Sequence, residues 1–434
     1  MTSTVPGSDG VSAAAGRVPW AALLPPDRPG RILAGSTFVS AVGFGAFAAS
    51  SAIFFTRSVG LSAAEVGAGL ATAGAVGLLG PLLVGRIADR VGAREVFVVL
   101  CALQAALFVA YALVHSFLVF AVVACAFGLV ERSAGAVRNA VIAGMTAGGD
   151  RVRLKAYLRS VFNLGVSLGA AAAVIPLHLD TRPAYVGLVL VNAGAAALTA
   201  VLATALPRVV PPGRATARTG PAQRWTALRD VPYLTVAVLC GLLATHHSLL
   251  VIALPIWVAT QTDAPASLVS ALLLLNTVLA IALQVRASKY AGTVADATGA
   301  ARWGAWTIAP ACGLIALAAF LPAAAAVAVL VAGVAVLTVG ELLTSVASWA
   351  LSFELAEPDA PAQYQGAFVL GTSTESVAGP LLATGVVIVL GMPGWLVAAA
   401  LFLLLGSATR RAALWAASRR PHLIPVERPL GQLA

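Results

Sequence analysis

Gly85-Arg86-Ile87-Ala88-Asp89-Arg90-Val91-Gly92-Ala93-Arg94 is the densest run of charge in an otherwise apolar chain, and hydrophobic stretches flank it closely on both sides. A connection this short between two membrane helices needs residues that tolerate a tight backbone, which Gly85 and Gly92 supply. It also needs charges that stay out of the bilayer, which Arg86, Arg90 and Arg94 supply. The stretch therefore reads as a loop on the cytoplasmic face of a membrane, and the remaining chain can be laid out around it.

Composition fits that reading. The chain is 60% hydrophobic and 10% charged, against roughly 25% charged residues in a soluble domain. It reads as an all-α integral membrane protein. The formal net charge of +10 does not point to nucleic acid. Lys155 and Lys289 are the only lysines, and the arginines fall in short loops as the positive-inside rule requires. Cys101, Cys125, Cys240 and Cys312 all lie in hydrophobic segments without metal-ligand spacing, so they read as small packing residues. Neither a cofactor nor a metal is expected. Met1 to Arg31 has the Pro, Gly and Ser of a cytoplasmic segment and no apolar core of a cleavable signal.

Helices of about 20 residues span a bilayer, and twelve candidates are predicted, at about 32–55, 65–84, 95–114, 117–140, 160–179, 184–206, 232–258, 267–285, 303–321, 323–350, 364–390 and 393–409. An even number puts both termini on one side. Of the 27 Lys and Arg, Arg57 and Arg182 lie in outer loops, Arg132 and Arg138 lie within helix 4, and the other 23 fall inside if the termini are cytoplasmic. The domain reading is a cytoplasmic segment 1–31, a six-helix half 32–206, a linker 207–229, a second half 230–410 and a basic tail 411–434 that touches anionic lipid. After helix 8, Gly292 to Ala300 repeats the Gly, Ala, Asp, Gly and Ala of Gly85 to Ala93 at identical spacing, the mark of two related halves.

The order Gly-x-Ile-Ala-Asp-Arg-x-Gly-x-Arg resembles the loop between helices 2 and 3 of the major facilitator superfamily of secondary transporters; Ala93 departs from it where that family often has a basic residue. The resemblance implies a gating role for Gly85, Asp89, Arg90, Gly92 and Arg94, with Asp89 and the arginines bridging the inner ends of helices 2, 3 and 11 while the carrier is open outward. On this reading the N-terminal dipole of helix 11 attracts Asp89.

Ionisable groups inside a spanning helix are functional candidates by default, because burying them is costly. Glu131, Glu341 and Glu375 qualify as proton-coupling sites, since a carboxyl that is neutral when dry and ionised when wetted or paired with Arg can carry a proton. Glu131 shares its face with Gly135 and Arg138, and Arg132 points elsewhere. Either it joins Arg132, Arg138 and Arg159 in a structural charge network or it handles substrate or protons; both readings stay open. Glu341 has Thr338, Ser345, Ser348 and Ser352 on or near its face, a polar stripe suited to water or substrate. Gly340-Glu341, Tyr364-x-Gly366 and Gly379-Pro380 are similar to helices 10 and 11 of the proton-coupled multidrug antiporters within the same superfamily. That likeness implies protonation of Glu341 linked to substrate release. Glu375 is either a second protonation site or a packed acid. Asn163, His246 and Asn276 complete a candidate substrate cavity; His246 and His247 could equally be bonded structure. Gly165 and Gly169 form a contact face on helix 5, and Ala170 stands where the antiporter branch has proline. Pro81, Pro176, Pro255, Pro310 and Pro380 are candidate hinges or static kinks.

The expected function is proton-driven export of small hydrophobic or amphiphilic compounds from the cytoplasmic membrane of a bacterium, by a monomer. Its partners are substrate, protons and membrane lipid. An importer or facilitator of a polar metabolite on the same fold is the first alternative, and a polytopic membrane enzyme the second. No cluster of nucleophile, His and Asp favours the enzyme, and no nucleotide-binding loop suggests a pump.

Overall fold

The computed structural model describes residues 25, 27–208 and 226–420, and every regular element among them is helical. The linker calls between 209 and 225, the tail beyond 420 and most of the segment 1–31 lie outside the described residues. The first half contains α1 (Arg28–Ile53), α2 (Ala63–Val91), α3 (Ala93–Ala112), α4 (Phe117–Met145), α5 (Gly149–Leu179) and α6 (Arg182–Thr204). The second contains α7 (Val231–Gln261), α8 (Leu268–Ala291), α9 (Val294–Phe320), α10 (Ala323–Glu354), a broken column α11 and α12 (Met392–Ser418).

Eleven of these columns are long and apolar enough to cross a membrane, one fewer than the twelve expected. The exception is α11, which is three consecutive pieces, Pro361–Thr372, Glu375–Pro380 and Leu381–Ile388. Its polar run Thr372-Ser373-Thr374-Glu375-Ser376 spans the break between the first two pieces, none of which is long enough to cross by itself. Interruptions elsewhere follow proline, whose ring blocks the bond to the preceding turn. α2 breaks just before Pro81, α5 just before Pro176, and α7 passes through a widened turn at Leu249–Ala253 ahead of Pro255. Pro310 sits within α9 without a break.

The two halves repeat one packing order. In the first, α1 packs on α5 and α6, α3 on α4 and α6, and α2 on α4; in the second, α7 packs on α11 and α12, α9 on α10 and α12, and α8 on α10. Contacts between halves obey the same symmetry: α2 with α11 is matched by α8 with α5, and α4 with α11 by α10 with α5. Large apolar side chains such as Leu118, Val174, Leu274 and Val389 remain exposed on the outside of the bundle, as a surface facing lipid tails should.

Gly85–Arg94 is not the loop its charge suggested. Residues 85–91 continue α2 and 93–94 begin α3, so Gly92 alone makes the connection. It adopts φ +123°, a backbone that side-chain-bearing residues rarely tolerate. α5 likewise starts at Gly149 rather than near 160, because its extra charged turns find partners on α4 and α10, described next.

Candidate functional site

The basic end of the molecule, which carries Gly85–Arg94, is where the halves meet. Gly85 and Gly366 let α2 and α11 touch backbone to backbone. A Cβ at Gly85 would stand 2.5 Å from the Ala362 carbonyl oxygen, and one at Gly366 would strike that of Pro81. Asp89, four residues after Gly85, then reaches over the start of α11. Its two carboxylate oxygens accept from the Ala362 and Gln363 amides at 2.8 Å each. These are donors that no turn of α11 can satisfy, and the helix dipole favours a negative charge there. Arg94 instead donates to the Thr204 carbonyl at the end of α6, and Arg90 is exposed. The expected bridge from α2 and α3 to α11 is thus made by Asp89, while Arg94 ties the first half to itself.

A second side of this closure joins α5 to α8 and α10. Arg151 pairs with Glu354 at 3.6 Å. Lys155 donates to Asn139 Oδ1 at 2.8 Å and lies 5.8 Å and 5.5 Å from the ring centres of Trp349 and Phe353. Ser160 donates to the Ile281 carbonyl at 3.4 Å. Gly292 comes against Gly149, so the repeated segment after α8 stands at the start of α5 as Gly85–Arg94 stands at the start of α11. Its Asp296, however, bonds Thr293 at 2.8 Å and caps its own helix.

The first turn of α11 is held from behind as well. Gln363 accepts from Thr226 and the Ala227 amide at 2.9 and 3.0 Å, and Tyr364 donates to Asp230 at 2.9 Å. Asp230 is paired at 2.6 Å with Arg420, which is 2% exposed and also donates to the Leu355 and Ala416 carbonyls. Neither Asp230 nor Arg420 stood out in sequence, because each sits at the edge of a hydrophobic stretch where charges are ordinary.

Deeper in, the structure brings two of the proposed residues together. Asn276 on α8 donates from one amide nitrogen to Glu341 Oε2 at 2.8 Å and to Thr338 Oγ1 at 3.0 Å. Glu341 is half-buried, as are Ser345 and Ser348 along the same helix; Ser352, further on, is buried. His247 lies within electrostatic reach of Glu341 and Glu375 from its own half and of Arg159 from the other, which places it near the contact between the halves. His246, the histidine assigned to the cavity from sequence, is instead buried and bonded through Nδ1 to the Leu243 carbonyl at 2.7 Å. Its neighbour, about 100° around the helix, takes the exposed position. Asn163 is half-buried, with its carbonyl accepting from Ser167 at 2.9 Å.

The three arginines named with Glu131 take separate contacts. Arg132 donates to Ser373 of α11 at 3.4 Å, Arg159 lies 5.9 Å over the Phe162 ring, and Arg138 lines a cavity. That cavity, about 150 Å³, lies within the first half between α1, α3, α4, α5 and α6. Glu131, Arg138, Gln104, Asn192 and Thr37 supply its polar wall, and Phe44, Phe108 and Phe162 are among its apolar lining. Thr37 is buried with its hydroxyl free of any protein partner.

At the end opposite the basic one, Asp180 binds two partners of its own half. It accepts from Tyr185 at 2.8 Å and pairs with Arg57. Those two hydrogen bonds, Tyr185's first, hold the Asp180 carboxyl below its usual range.

A family model described as the Major Facilitator Superfamily matches residues 33–380. An MFS-type efflux pump of Mycolicibacterium smegmatis is 48% identical over 66 residues, 15% of this chain and 15% of that protein. Among solved structures, the MFS transporter FucP in the outward conformation aligns with a TM-score of 0.68 at 12% identity, covering 89% of this chain and 98% of that one. A bacterial homologue of the iron transporter ferroportin, in the outward-facing state, gives 0.66 at 13%, covering 91% and 100%. The human organic anion transporter MFSD10 gives 0.65 at 16%, covering 89% and 100%. At such identities the likeness is one of fold.

Proposed function

Because this chain belongs to the Major Facilitator Superfamily and is a multi-pass membrane transporter of that family, we propose that it exports small hydrophobic or amphiphilic compounds from the bacterial cytoplasm in exchange for protons. α11 then serves as the twelfth span and both termini are cytoplasmic. The basic end faces inward, in keeping with the positive-inside rule, so the conformation described is closed to the cytoplasm.

The observation that carries the coupling is Glu341, held by the Asn276 amide, which also donates to Thr338. An ionised Glu341 accepts from the Asn276 amide. A proton on Oε2 turns that oxygen into a donor, and Asn276 then offers its carbonyl oxygen, shifts to the other carboxyl oxygen or releases the group. A proton arriving from outside thereby rearranges a bond between α8 and α10, and a cationic or amphiphilic substrate competes for the same carboxylate. His247 lies close enough to feel that charge and that of Glu375. Glu131, two turns before Arg138 on the same wall of the first-half cavity, serves as a second acidic site. The apolar ring lining of that cavity suits hydrophobic substrates better than a polar metabolite. Export as the direction rests on the 66-residue match to an efflux pump.

The test is retention of lipophilic fluorescent dyes in a host without its own pumps. Wild type should lower retention; Glu341→Gln, which keeps the hydrogen-bonding shape and loses the proton, and a protonophore should each restore it. Equal dye export by wild type and Glu341→Gln, at matched membrane levels, would remove Glu341 from the coupling.

A further inference from the structure

Arg302, on the third turn of α9, belongs neither to the contact of α2 with α11 nor to that of α5 with α8 and α10. Its guanidinium carbon lies 5.4 Å from the Trp303 ring centre and 5.3 Å from that of Trp306. Both tryptophans face outward, 56% and 40% exposed, with their rings edge to face. Arg302 Nε is buried and donates to no protein acceptor. The backbone beneath is fixed by α12: a Cβ at Gly406 would stand 3.3 Å from the Arg302 carbonyl oxygen and 2.6 Å from Ala305.

α9 begins, and α12 ends, at the basic end of the molecule. Helical side chains lean towards the N-terminus of their helix, so Arg302, Trp303 and Trp306 lean towards that same membrane face. On α12, Arg410 is exposed one turn beyond Gly406 in the same direction. The strip so formed has tryptophans at the depth where they anchor in the interface. It also has the guanidiniums of Arg302 and Arg410, with the exposed Asp296 two turns away at the start of α9, and exposed Leu403 below as a track for an acyl chain. Aromatic anchoring explains the rings. It does not explain a guanidinium drawn into the apolar surface with a donor left over, because such a group normally finds a carboxylate or carbonyl.

We infer that the basic ends of α9 and α12 form a binding site for one anionic phospholipid of the inner leaflet. Arg302 holds the headgroup phosphate, and Arg410 makes the site prefer a net negative headgroup over a zwitterionic one. A guanidinium's planar fork matches two phosphate oxygens, and its stacking on indole faces keeps it oriented. The same charges repel the ammonium of a zwitterionic lipid.

The experiment uses the full chain in neutral detergent. Thermal unfolding is followed with phosphatidylglycerol, phosphatidylcholine or soluble glycerol phosphate added, and lipid retention is counted by native mass spectrometry. Phosphatidylglycerol should raise the midpoint more than phosphatidylcholine, and glycerol phosphate should leave it unchanged. Arg302→Gln should weaken phosphatidylglycerol retention about tenfold, the order expected for one lost charge-assisted hydrogen bond. Arg153→Gln, which changes an exposed arginine on α5, should leave it unaltered. Equal shifts with both lipids, full retention in Arg302→Gln, or a shift from glycerol phosphate alone would each overturn the assignment. Should Arg302→Gln fail to fold, the lipid comparison on wild type still decides.

Discussion

Replacing Asp89 by Asn should weaken the inner closure by about 2 kcal/mol while leaving each half folded. The carboxylate accepts two amide hydrogen bonds of 2.8 Å at the start of α11. Bonds to a charged acceptor contribute roughly 1.5–3 kcal/mol and neutral ones 0.5–1.5. Asn keeps one neutral acceptor, turns its NH₂ towards the other amide and loses the attraction to the helix dipole, itself roughly 0.3–2 kcal/mol. Water replaces part of the loss once the gate opens, so the net falls near 2 kcal/mol, or about a thirtyfold change in the ratio of closed to open forms. Spin labels at the exposed positions Val91 and Asp359, beside the ends of α2 and α11, should report it as growth of a longer distance. Dye export should fall at matched surface level. Gly366→Val should give the same shift by a different cause, because its side chain meets the Pro81 carbonyl. An Asp89→Asn protein with the wild-type distance distribution and wild-type export would refute the reasoning.

Arg420→Gln should lower stability by about 3–5 kcal/mol, the usual effect of leaving one member of a buried pair alone, since Asp230 keeps only Tyr364 and its own helix amide; thermal unfolding in detergent reads this, and an unchanged midpoint would mean that water reaches the pair. Asp180 sets a pH dependence at the other end. Its folded-state carboxyl titrates below the unfolded value of about 3.9, so its bonds with Tyr185 and Arg57 stabilise the protein above that value and are lost as pH falls through the lower one. The difference in unfolding midpoint between wild type and Arg57→Gln should therefore stay constant from pH 8 to 5 and vanish only in strong acid; a change near pH 6 would assign the contact to another group.

How far the sequence could be read depended on whether a residue's neighbours in space were also its neighbours in the chain. Spans of apolar residues are local, and so the columns were found, except that ends were drawn where charge began. α5 shows why this fails: Arg151 and Lys155 looked like loop residues, yet Glu354, Asn139 and two rings of α10 let them continue a helix. Glu341 was legible because its serines and threonines recur on one helix, whereas its partner Asn276 had only its type to recommend it. The choice of His246 over His247 turned on a helical phase that a broken α7 obscures. Asp230 and Arg420, 190 residues apart, carried no signal that spacing could reveal.

The repeat of Gly85–Ala93 at Gly292–Ala300 was legible, but its chemistry was not conserved between the halves. Both segments stand at the start of a helix in the opposite half. Asp89 crosses over to bond that helix, while Asp296 turns back to Thr293. The second side of the gate therefore lacks a carboxylate on backbone amides and relies on Arg151, Glu354 and Lys155. The two sides must then respond differently to the same event. Neutralising a carboxylate frees α11 from α2 through Asp89. On the other side, protonating Glu354 leaves Lys155 among its rings and the Ser160 bond in place. Opening thus has a charge-sensitive side at α2 and α11 and a side at α5 and α10 where packing holds. A thirtyfold effect from Asp89→Asn implies that the first side sets the equilibrium; an effect near unity would shift that role to the aromatic contact of Lys155 with Trp349 and Phe353.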